Sequence, residues 1–544
     1  MRVADLLVKC LENEGVEYVF GVPGEEMLDI LDAIADSSIQ FIATRHEQGA
    51  AFMADAVGRL TGWAGVAIST LGPGAMNLAT GIADANLDHA PLVALTGQIG
   101  LEATHKESHQ YIDTASMFHS ITKWSTQLDT PRVTAEVIRR AFKAAEAEKP
   151  GACHIEVPED VAAMEAIGEP LFRQSAVPQA ARPESLTLAA NLINNAKDPI
   201  ILSGNGVIRG RASSELRAFA EASGIAVANT FMGKGAISSR SDSSLSTIGL
   251  QAHDHVSCGF DRADLVIAVG YDLVEYSPSR WNPGAHKSIV HIDSTQSEVD
   301  AHYVTSAEVV GDIAGSLREL RGMVDTRKTS DYFLKLRSFT YQELESHAED
   351  RGYPVTPQKL IYDMREALGD KDILISDVGA HKLWISRLYP TYEPNTVLIS
   401  NGLAAMGFAL PAAIAAKLVM PERKVIAACG DGGFMMNSQE LETAIRLKLP
   451  IVVVIFNDSG YGLIKWKQMG KYKRECGVTF GNPDFVKFAE SFGAKAYRPE
   501  DSTELLPMLR EALKQDVPAI LDVAVDYSEN LKLSERLGQM ICPM

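Results

Sequence analysis

Two short stretches of this chain carry residues whose types and spacing suit phosphate and metal chemistry. Gly430-Asp431-Gly432-Gly433 follows the apolar run VIAAC, and Asn457-Asp458-Ser459-Gly460 follows the apolar run PIVVVIF. A glycine turn at the carboxyl end of a parallel strand directs backbone amides toward an anion, so a diphosphate is the natural ligand. Asp431 then reads as a metal ligand. Asp458 lies 27 positions further on, and a helical crossover between the two strands returns this second carboxylate to the same sheet edge. Two carboxylates together with phosphate oxygens suit a hard octahedral ion, Mg²⁺. Taken singly, each stretch is as readily a turn, with Asp458 an Asx-turn residue.

A second group of residues lies hundreds of positions away. The run FIATRHEQGAAFM sets Glu47 just after a predicted strand. His46-Glu47 would open a zinc-protease helix only with a histidine at position 50, and that residue is Ala50, so a metalloprotease is discarded. Leu71-Gly72-Pro73-Gly74-Ala75-Met76-Asn77 is a Gly-Pro turn leading into a helix. Ser108-His109-Gln110, Asp377-Val378-Gly379-Ala380-His381 and Gly402-Leu403-Ala404-Ala405-Met406-Gly407 are further polar or glycine-rich stretches, each as compatible with a surface loop or core filler as with a site.

The elements that must position these residues follow from rhythm. Short β-rich runs (YVFGV, FIAT, GVAIST, PLVALTG, CHIEVP) alternate with helical stretches, which implies βαβ crossovers and a parallel sheet with helices on both faces. A Pro-rich polar stretch at 166–185 breaks the alternation. A second unit follows with PIILSGNG, GIAVANT, DLVIAVG and SIVHID, and a third with ILISDVG, KVIAACGDGG, PIVVVIFNDSG and AILDVAV. The predicted fold class is therefore α/β, with three doubly wound parallel-sheet units at 1–165, 186–322 and 357–527, and a tail at 528–544 packing over a site. A helix is predicted from about Asn437 to Leu447.

Composition narrows the class. With 544 residues, 46% apolar and 22% charged, the chain is an ordinary folded protein of several domains. Its net charge of −19 opposes binding to nucleic acid. No basic, greasy leader and no apolar run of membrane-spanning length is present, so no membrane association is expected and the cytoplasm is the expected compartment. The six cysteines are scattered, without zinc spacing, and read as reduced and mostly buried thiols.

GDGG and NDSG together, in this strand–helix–strand setting, resemble the thiamine diphosphate signature, in which GDG is followed some two dozen residues later by NN or ND. The resemblance implies three domains, pyrimidine-binding, central and diphosphate-binding, and the cofactors thiamine diphosphate and Mg²⁺. It implies that Asp431, Asp458 and the carbonyl of Gly460 hold the metal; the usual Asn at the second position is Asp here. Gly430, Gly432, Gly433, Tyr461, Gly379 and His381 would lie on the diphosphate side. Glu47 meets the family's catalytic glutamate in an RHEQ-type motif, Gly72, Pro73, Gly74 and Asn77 its GPG loop at the pyrimidine, and Gln110 an active-site glutamine. Met406 is the implied wedge that bends the cofactor, with the Ala404 carbonyl accepting from its amino group. A carboxyl group facing the pyrimidine in a dry pocket shares a proton, favouring the imino tautomer whose nitrogen takes the thiazolium C2 proton.

Nearly the whole chain is most similar to the acetolactate synthase large-subunit branch, through TRHEQGAAFMADAVGRLTG, STLGPGAMNLATG and VDYSEN among others. The implied reaction is decarboxylation of pyruvate and carboligation to a second 2-oxoacid, giving 2-acetolactate. VGYDLVEYSPSRWNP resembles the flavin-free catabolic type and lacks an RFDDR-like stretch, whereas TFMGKG at 230–235 is similar to a flavin-domain loop; FAD stays open, with absence favoured. Two departures bear on the acceptor: Pro23-Gly24-Glu25-Glu26 where catabolic relatives carry a lysine, and Trp466-Lys467-Gln468, in which Lys467 is a candidate for the acceptor carboxylate. The alternatives are a 2-oxoacid decarboxylase or aldehyde carboligase of the same family and, remotely, a non-catalytic nucleotide-binding protein, which the lack of GxGxxG after the first strand disfavours. Because relatives join the glutamate and diphosphate units across subunits, a homodimer or homotetramer is expected.

Overall fold

Apolar, β-branched runs bounded by Gly, Asn or Asp fold into eighteen strands among the described residues of a computed structural model, which describes residues 1–173, 178–249, 253–531, 534 and 542. The strands form three parallel six-stranded sheets. The first contains β1 (Tyr18–Gly21), β2 (Gln40–Ala43), β3 (Gly65–Ser69), β4 (Leu92–Gln98), β5 (Trp124–Gln127) and β6 (Ala152–Pro158), in the order 2-1-3-4-6-5. The second contains β7 (Pro199–Ser203), β8 (Ala226–Asn229), β9 (Ser244–Thr247), β10 (Leu265–Val269), β11 (Ser288–Asp293) and β12 (Ala307–Val310), ordered 12-11-10-7-8-9. The third contains β13 (Ile373–Ser376), β14 (Val397–Ile399), β15 (Val425–Gly430), β16 (Val452–Asn457), β17 (Lys495–Tyr497) and β18 (Ala519–Ala524), ordered 14-13-15-16-18-17. The α/β class and the three-sheet arrangement are as expected from the sequence.

The winding reverses between β1 and β3, β7 and β10, and β13 and β15, and in the first and third sheets the last strand also steps back, β6 between β4 and β5 and β18 between β16 and β17. In a doubly wound sheet a crevice opens at that reversal, outside the carboxyl ends of the strands. Central strands are buried on both faces, as parallel sheets require: Ile426, Val452, Val454 and Leu521 pack into one core, and Val19, Val66, Val93 and Ile155 into another. Five strands escaped the sequence reading, β5, β9, β12, β14 and β17. All five are edge strands of three or four residues, too short for an apolar run to declare itself.

The chain divides into two compact units. One comprises residues 1–176, 402–422 and 434–451; the other comprises 177–401, 423–433 and 452–544. The first contains β1–β6, and also the helices Ala409–Val419 and Glu440–Arg446, which by sequence belong to the third α/β stretch. The second contains the other two sheets. In the first unit the helix Glu47–Thr61 is lined with small residues, Gly49, Ala50, Ala51 and Ala54, so that the helices Gly72–Leu87 and Ala409–Val419 both pack closely on it. Phe52 meets Phe408 edge to face at 5.5 Å.

Two expectations are corrected. The predicted helix from about Asn437 is two helices, Asp431–Asn437 and Glu440–Arg446, so helical backbone begins at Asp431 itself, directly after β15. Cys258 and Cys542 form a disulfide, whereas Cys10, Cys153 and Cys429 are buried thiols and Cys476 is an exposed one. A pair 284 residues apart leaves no trace in sequence spacing. No helix among the described residues is long and apolar enough to cross a membrane.

Candidate active site

Glu47 begins its helix at the carboxyl end of β2, with His46 as the cap whose Nδ1 accepts from the Gln48 amide. Its carboxyl group is buried, with 8% of the residue exposed. Asn77 Nδ2 donates to Glu47 Oε2 at 2.9 Å. Gly74 lies against the other oxygen: a Cβ there would stand 3.2 Å from Glu47 Oε1, and one on Gly72 would strike the Gln110 carbonyl oxygen at 2.2 Å. The structure therefore brings Glu47, Gly72, Pro73, Gly74, Asn77 and Gln110 into one neighbourhood, with Gln110 exposed and held at a positive φ of 57°. Glu26 joins them, its carboxylate accepting from the Thr70 hydroxyl beside the Gly-Pro turn.

The stretch from Gly402 to Gly407 belongs to the same compact unit. Ala404 occupies left-handed backbone at φ 56°, a conformation that a glycine adopts without strain. Met406 is half-buried. Asn437 Nδ2 donates to the Gly407 carbonyl at 2.9 Å and to Gln48 Oε1 at 3.3 Å, joining the Met406 stretch to the helix that begins with Glu47.

In the other unit, β15 and β16 run in register with Gly430 opposite Phe456, so Asp431 and Asn457 come level at one sheet edge. Asp431 Oδ1 accepts from the Gly432 amide at 2.7 Å and Oδ2 from Asn482 Nδ2 at 2.8 Å; the Ser459 and Gly460 amides also donate to this carboxylate. Asp431 and Asp458 are close enough to repel. Burial, and for Asp458 the charge of Asp431, raise both above the ordinary carboxylate range, Asp458 to about 7. Gly432 and Gly433 have no room for a side chain: a Cβ would meet the Tyr461 ring at 2.8 Å and Asp377 Oδ2 at 2.6 Å respectively. His381 packs beneath Gly379 and Gly430 and against Phe456; burial lowers its imidazole to about 3, and its Nε2 has no hydrogen-bond partner among the described residues.

A cavity of about 320 Å³ opens beside Asp458, lined among others by Lys465, Trp466, Asp526, Tyr527 and Asn530. Of the expected tail at 528–544, Ser528, Asn530 and Leu531 line this cavity and Ser534 accepts from Trp466 Nε1 at 2.7 Å, whereas most of 532–544 lies outside the described residues. Lys467 is not among the lining residues. Lys465, two positions earlier on the helix Gly462–Tyr472, is the lysine that faces the cavity. Sequence reading also missed Asn482, which bridges Asp431 and Asn457 at 2.8 and 3.1 Å and lies in an unremarkable GNPD loop with no local signal.

Three family profiles match consecutive parts of the chain: the N-terminal TPP binding domain of thiamine pyrophosphate enzymes at residues 1–117, their central domain at 186–320, and their C-terminal TPP binding domain at 377–523. The acetolactate synthase of Bacillus subtilis is 37% identical over 98% of this chain and 95% of its own length. The catabolic acetolactate synthase of Raoultella terrigena is 38% identical over 99% and 97%, and a probable acetolactate synthase large subunit of Methanocaldococcus jannaschii 36% identical over 99% and 94%. The chain belongs to the thiamine pyrophosphate enzymes. Within them it is a member of the acetolactate synthase branch, and a thiamine diphosphate-dependent enzyme.

The residues present fit the cofactor of thiamine pyrophosphate enzymes. Two buried carboxylates stand at one sheet edge, the charge of Asp431 raising Asp458 while Lys465 opposes it; the glycines at 430, 432 and 433 keep side chains out of the turn, and His381 Nε2 is a buried polar atom without a hydrogen-bond partner among the described residues.

Proposed function

We propose that this enzyme decarboxylates pyruvate and joins the resulting two-carbon unit to a second 2-oxoacid, giving 2-acetolactate. The observation that carries the reading is the buried pair Asp431 and Asp458 at one sheet edge, in a chain that is 36–38% identical, nearly end to end, to proteins named acetolactate synthase. Bound thiamine diphosphate supplies the electron sink that lets a 2-oxoacid lose CO₂ and then attack a carbonyl.

In this reading the domains at 1–165, 186–322 and 357–527 are pyrimidine-binding, central and diphosphate-binding. Asp431, Asp458 and the Gly460 carbonyl hold Mg²⁺, and the backbone of Gly430, Gly432 and Gly433, with Tyr461, Gly379 and His381, surrounds the diphosphate. Glu47 holds the proton shared with the aminopyrimidine, through the oxygen that Asn77 leaves free. Gly72, Pro73 and Gly74 form the floor beside it and Gln110 reaches the reacting end. Met406 supports the bend and the Ala404 carbonyl receives the amino group. Lys465 faces the cavity in which an acceptor carboxylate would lie.

Three further features complete the proposal. Glu47 and the two aspartates belong to different compact units, and the Glu47 unit carries exposed apolar side chains, Met76, Leu403, Met435 and Met436, which supports burial of apolar surface by a second copy. The reading is of a homodimer or homotetramer in the cytoplasm. In the crevice of the middle sheet the Glu275 carboxyl group already takes up the Asn205 and Asp272 amides, at 3.0 and 3.1 Å, and the Thr230 hydroxyl, which supports the flavin-free reading. Mass analysis of products from pyruvate, alone and with 2-oxobutyrate, tests the function. 2-Acetolactate is expected; acetaldehyde or acetoin as the primary product would replace it with a decarboxylase or an aldehyde carboligase.

A further inference from the structure

Glu440 opens the helix Glu440–Arg446 with its side chain fully buried. A buried carboxylate persists only where donors meet it. Its Oε1 accepts from the backbone amides of both Arg45 and His46 at 3.0 Å, and its Oε2 from the Thr443 hydroxyl at 2.7 Å. Arg45 and His46 are the two residues that lead into Glu47. The approach is close enough to require Gly49 on the first turn of the Glu47 helix, since a Cβ there would stand 2.9 Å from Glu440 Oε1. The far end of the same short helix holds the same connection, because Arg446 donates to the carbonyl of Ala43 at the end of β2. The segment 43–49, in which residues 44–46 connect β2 to the Glu47 helix, is thus held at both ends by one helix.

We propose that Glu440 is the positioning residue for Glu47: its carboxylate anchors the two preceding amides and so sets where the Glu47 carboxyl group points. This rests on the reading of Glu47 as the acid that faces the aminopyrimidine. Misplacement of a reacting group by about 1 Å costs on the order of 100-fold in rate, so a lost anchor acts on turnover rather than on substrate affinity. Gln retains the side-chain length and an acceptor oxygen. Asp retains the charge but falls short by one methylene. Ala removes the acceptor altogether.

The experiment uses the full-length protein in two states. Without cofactor, amide hydrogen exchange by mass spectrometry on peptides covering 43–49 is expected to speed up about tenfold or more in Glu440→Ala and to change little in Glu440→Gln, with peptides from β7–β12 unaltered. With thiamine diphosphate, Mg²⁺ and pyruvate, kcat is expected to fall about 10–100-fold in Glu440→Ala with KM within about twofold, and Glu440→Gln to recover most of it. Should the Ala variant fail to fold, Glu440→Asp slower than Glu440→Gln supports the proposal, because reach and not charge sets the contact. Unchanged exchange at 43–49 in Glu440→Ala, an unchanged kcat, or Gln slower than Asp overturns it. A wild-type protein that neither binds thiamine diphosphate nor consumes pyruvate would instead refute the proposed function, while leaving the exchange result interpretable.

Discussion

Asn77 holds one oxygen of Glu47 at 2.9 Å, from the second turn of the helix that the Gly-Pro turn begins. The contact commits Oε2 and leaves Oε1 beside Gly74, where only a glycine leaves space. Glu47→Gln is expected to retain thiamine diphosphate and Mg²⁺ while slowing pyruvate turnover about 10²–10⁴-fold, as loss of an acid–base group does. Calorimetric titration of the cofactor alongside steady-state kinetics checks both halves, and near-normal turnover contradicts the assignment.

Asn482 orients Asp431 from outside the proposed metal shell. Removing such a partner typically lowers metal affinity about 10–100-fold, and Asn482→Ala is expected to do so for Mg²⁺ in the presence of thiamine diphosphate. Asp458→Asn, which installs the residue usual in relatives, is expected to retain cofactor, whereas Asp458→Ala is expected to lose it. Equilibrium dialysis distinguishes the three, and equal retention in all of them would remove Asp431 and Asp458 from the metal site.

Glu275 takes up the Asn205 and Asp272 amides at the mouth of the middle sheet. The purified enzyme is therefore expected to show no flavin absorbance at roughly 450 nm and no gain in turnover on addition of FAD, since a pyrophosphate would find the donors it needs already taken by Glu275. Stoichiometric flavin released on denaturation would overturn this.

Arg59 is buried with three carboxylates, pairing with Asp55 and with Asp84 and Asp88 at 3.4 and 2.8 Å. Its guanidinium also lies over the Phe408 ring, 5.0 Å from the centroid. Arg59→Met removes the buried cation that pairs with these acids, and a loss of about 3–5 kcal/mol is expected, as for one partner removed from a buried ion pair. Thermal unfolding measures it; a melting temperature equal to that of the wild type would contradict the network's role.

Lys234 is buried against the Ser386 carbonyl and the Thr247 hydroxyl, at 3.0 and 3.3 Å, and burial lowers its ammonium from 10.5 to about 7. Between those values the unfolded chain binds a proton that the folded chain does not, so this group makes stability rise with pH, by up to about 1.4 kcal/mol per unit. Below about 7 the cost of charging it is present in full. Lys234→Met lacks the titration, and its advantage in melting temperature is expected to shrink as pH is raised from 7 to 10. A pH-independent difference would show that Lys234 stays charged in the fold.

Much of the architecture was legible because parallel strands buried on both faces need continuous apolar runs, and those runs end in the Gly, Asn and Asp residues that turn toward the crevice. VIAACGDGG and PIVVVIFNDSG announced both the strands β15 and β16 and the acids at their ends. Edge strands such as β9 and β17 carried no such run and went unseen. Asn482 and Glu440 were invisible for a different reason. Each acts through one hydrogen-bonding group whose partner is remote in sequence, and neither sits in a pattern that local chemistry distinguishes from a loop or a helix face.

Residue type and order alone were enough to establish that this is an α/β enzyme with a cofactor family's motifs, because glycines, strand-end acids and apolar periodicity are local requirements of backbone geometry. Only folding decided that Asn77 meets Glu47, that Lys465 rather than Lys467 lines the cavity, that Cys258 pairs with Cys542, and that Glu440 anchors the approach to Glu47. Those outcomes depend on which side of a helix faces inward and on which distant segments the sheets bring together. A periodicity constrains the first only to within a turn, and spacing along the chain does not constrain the second at all.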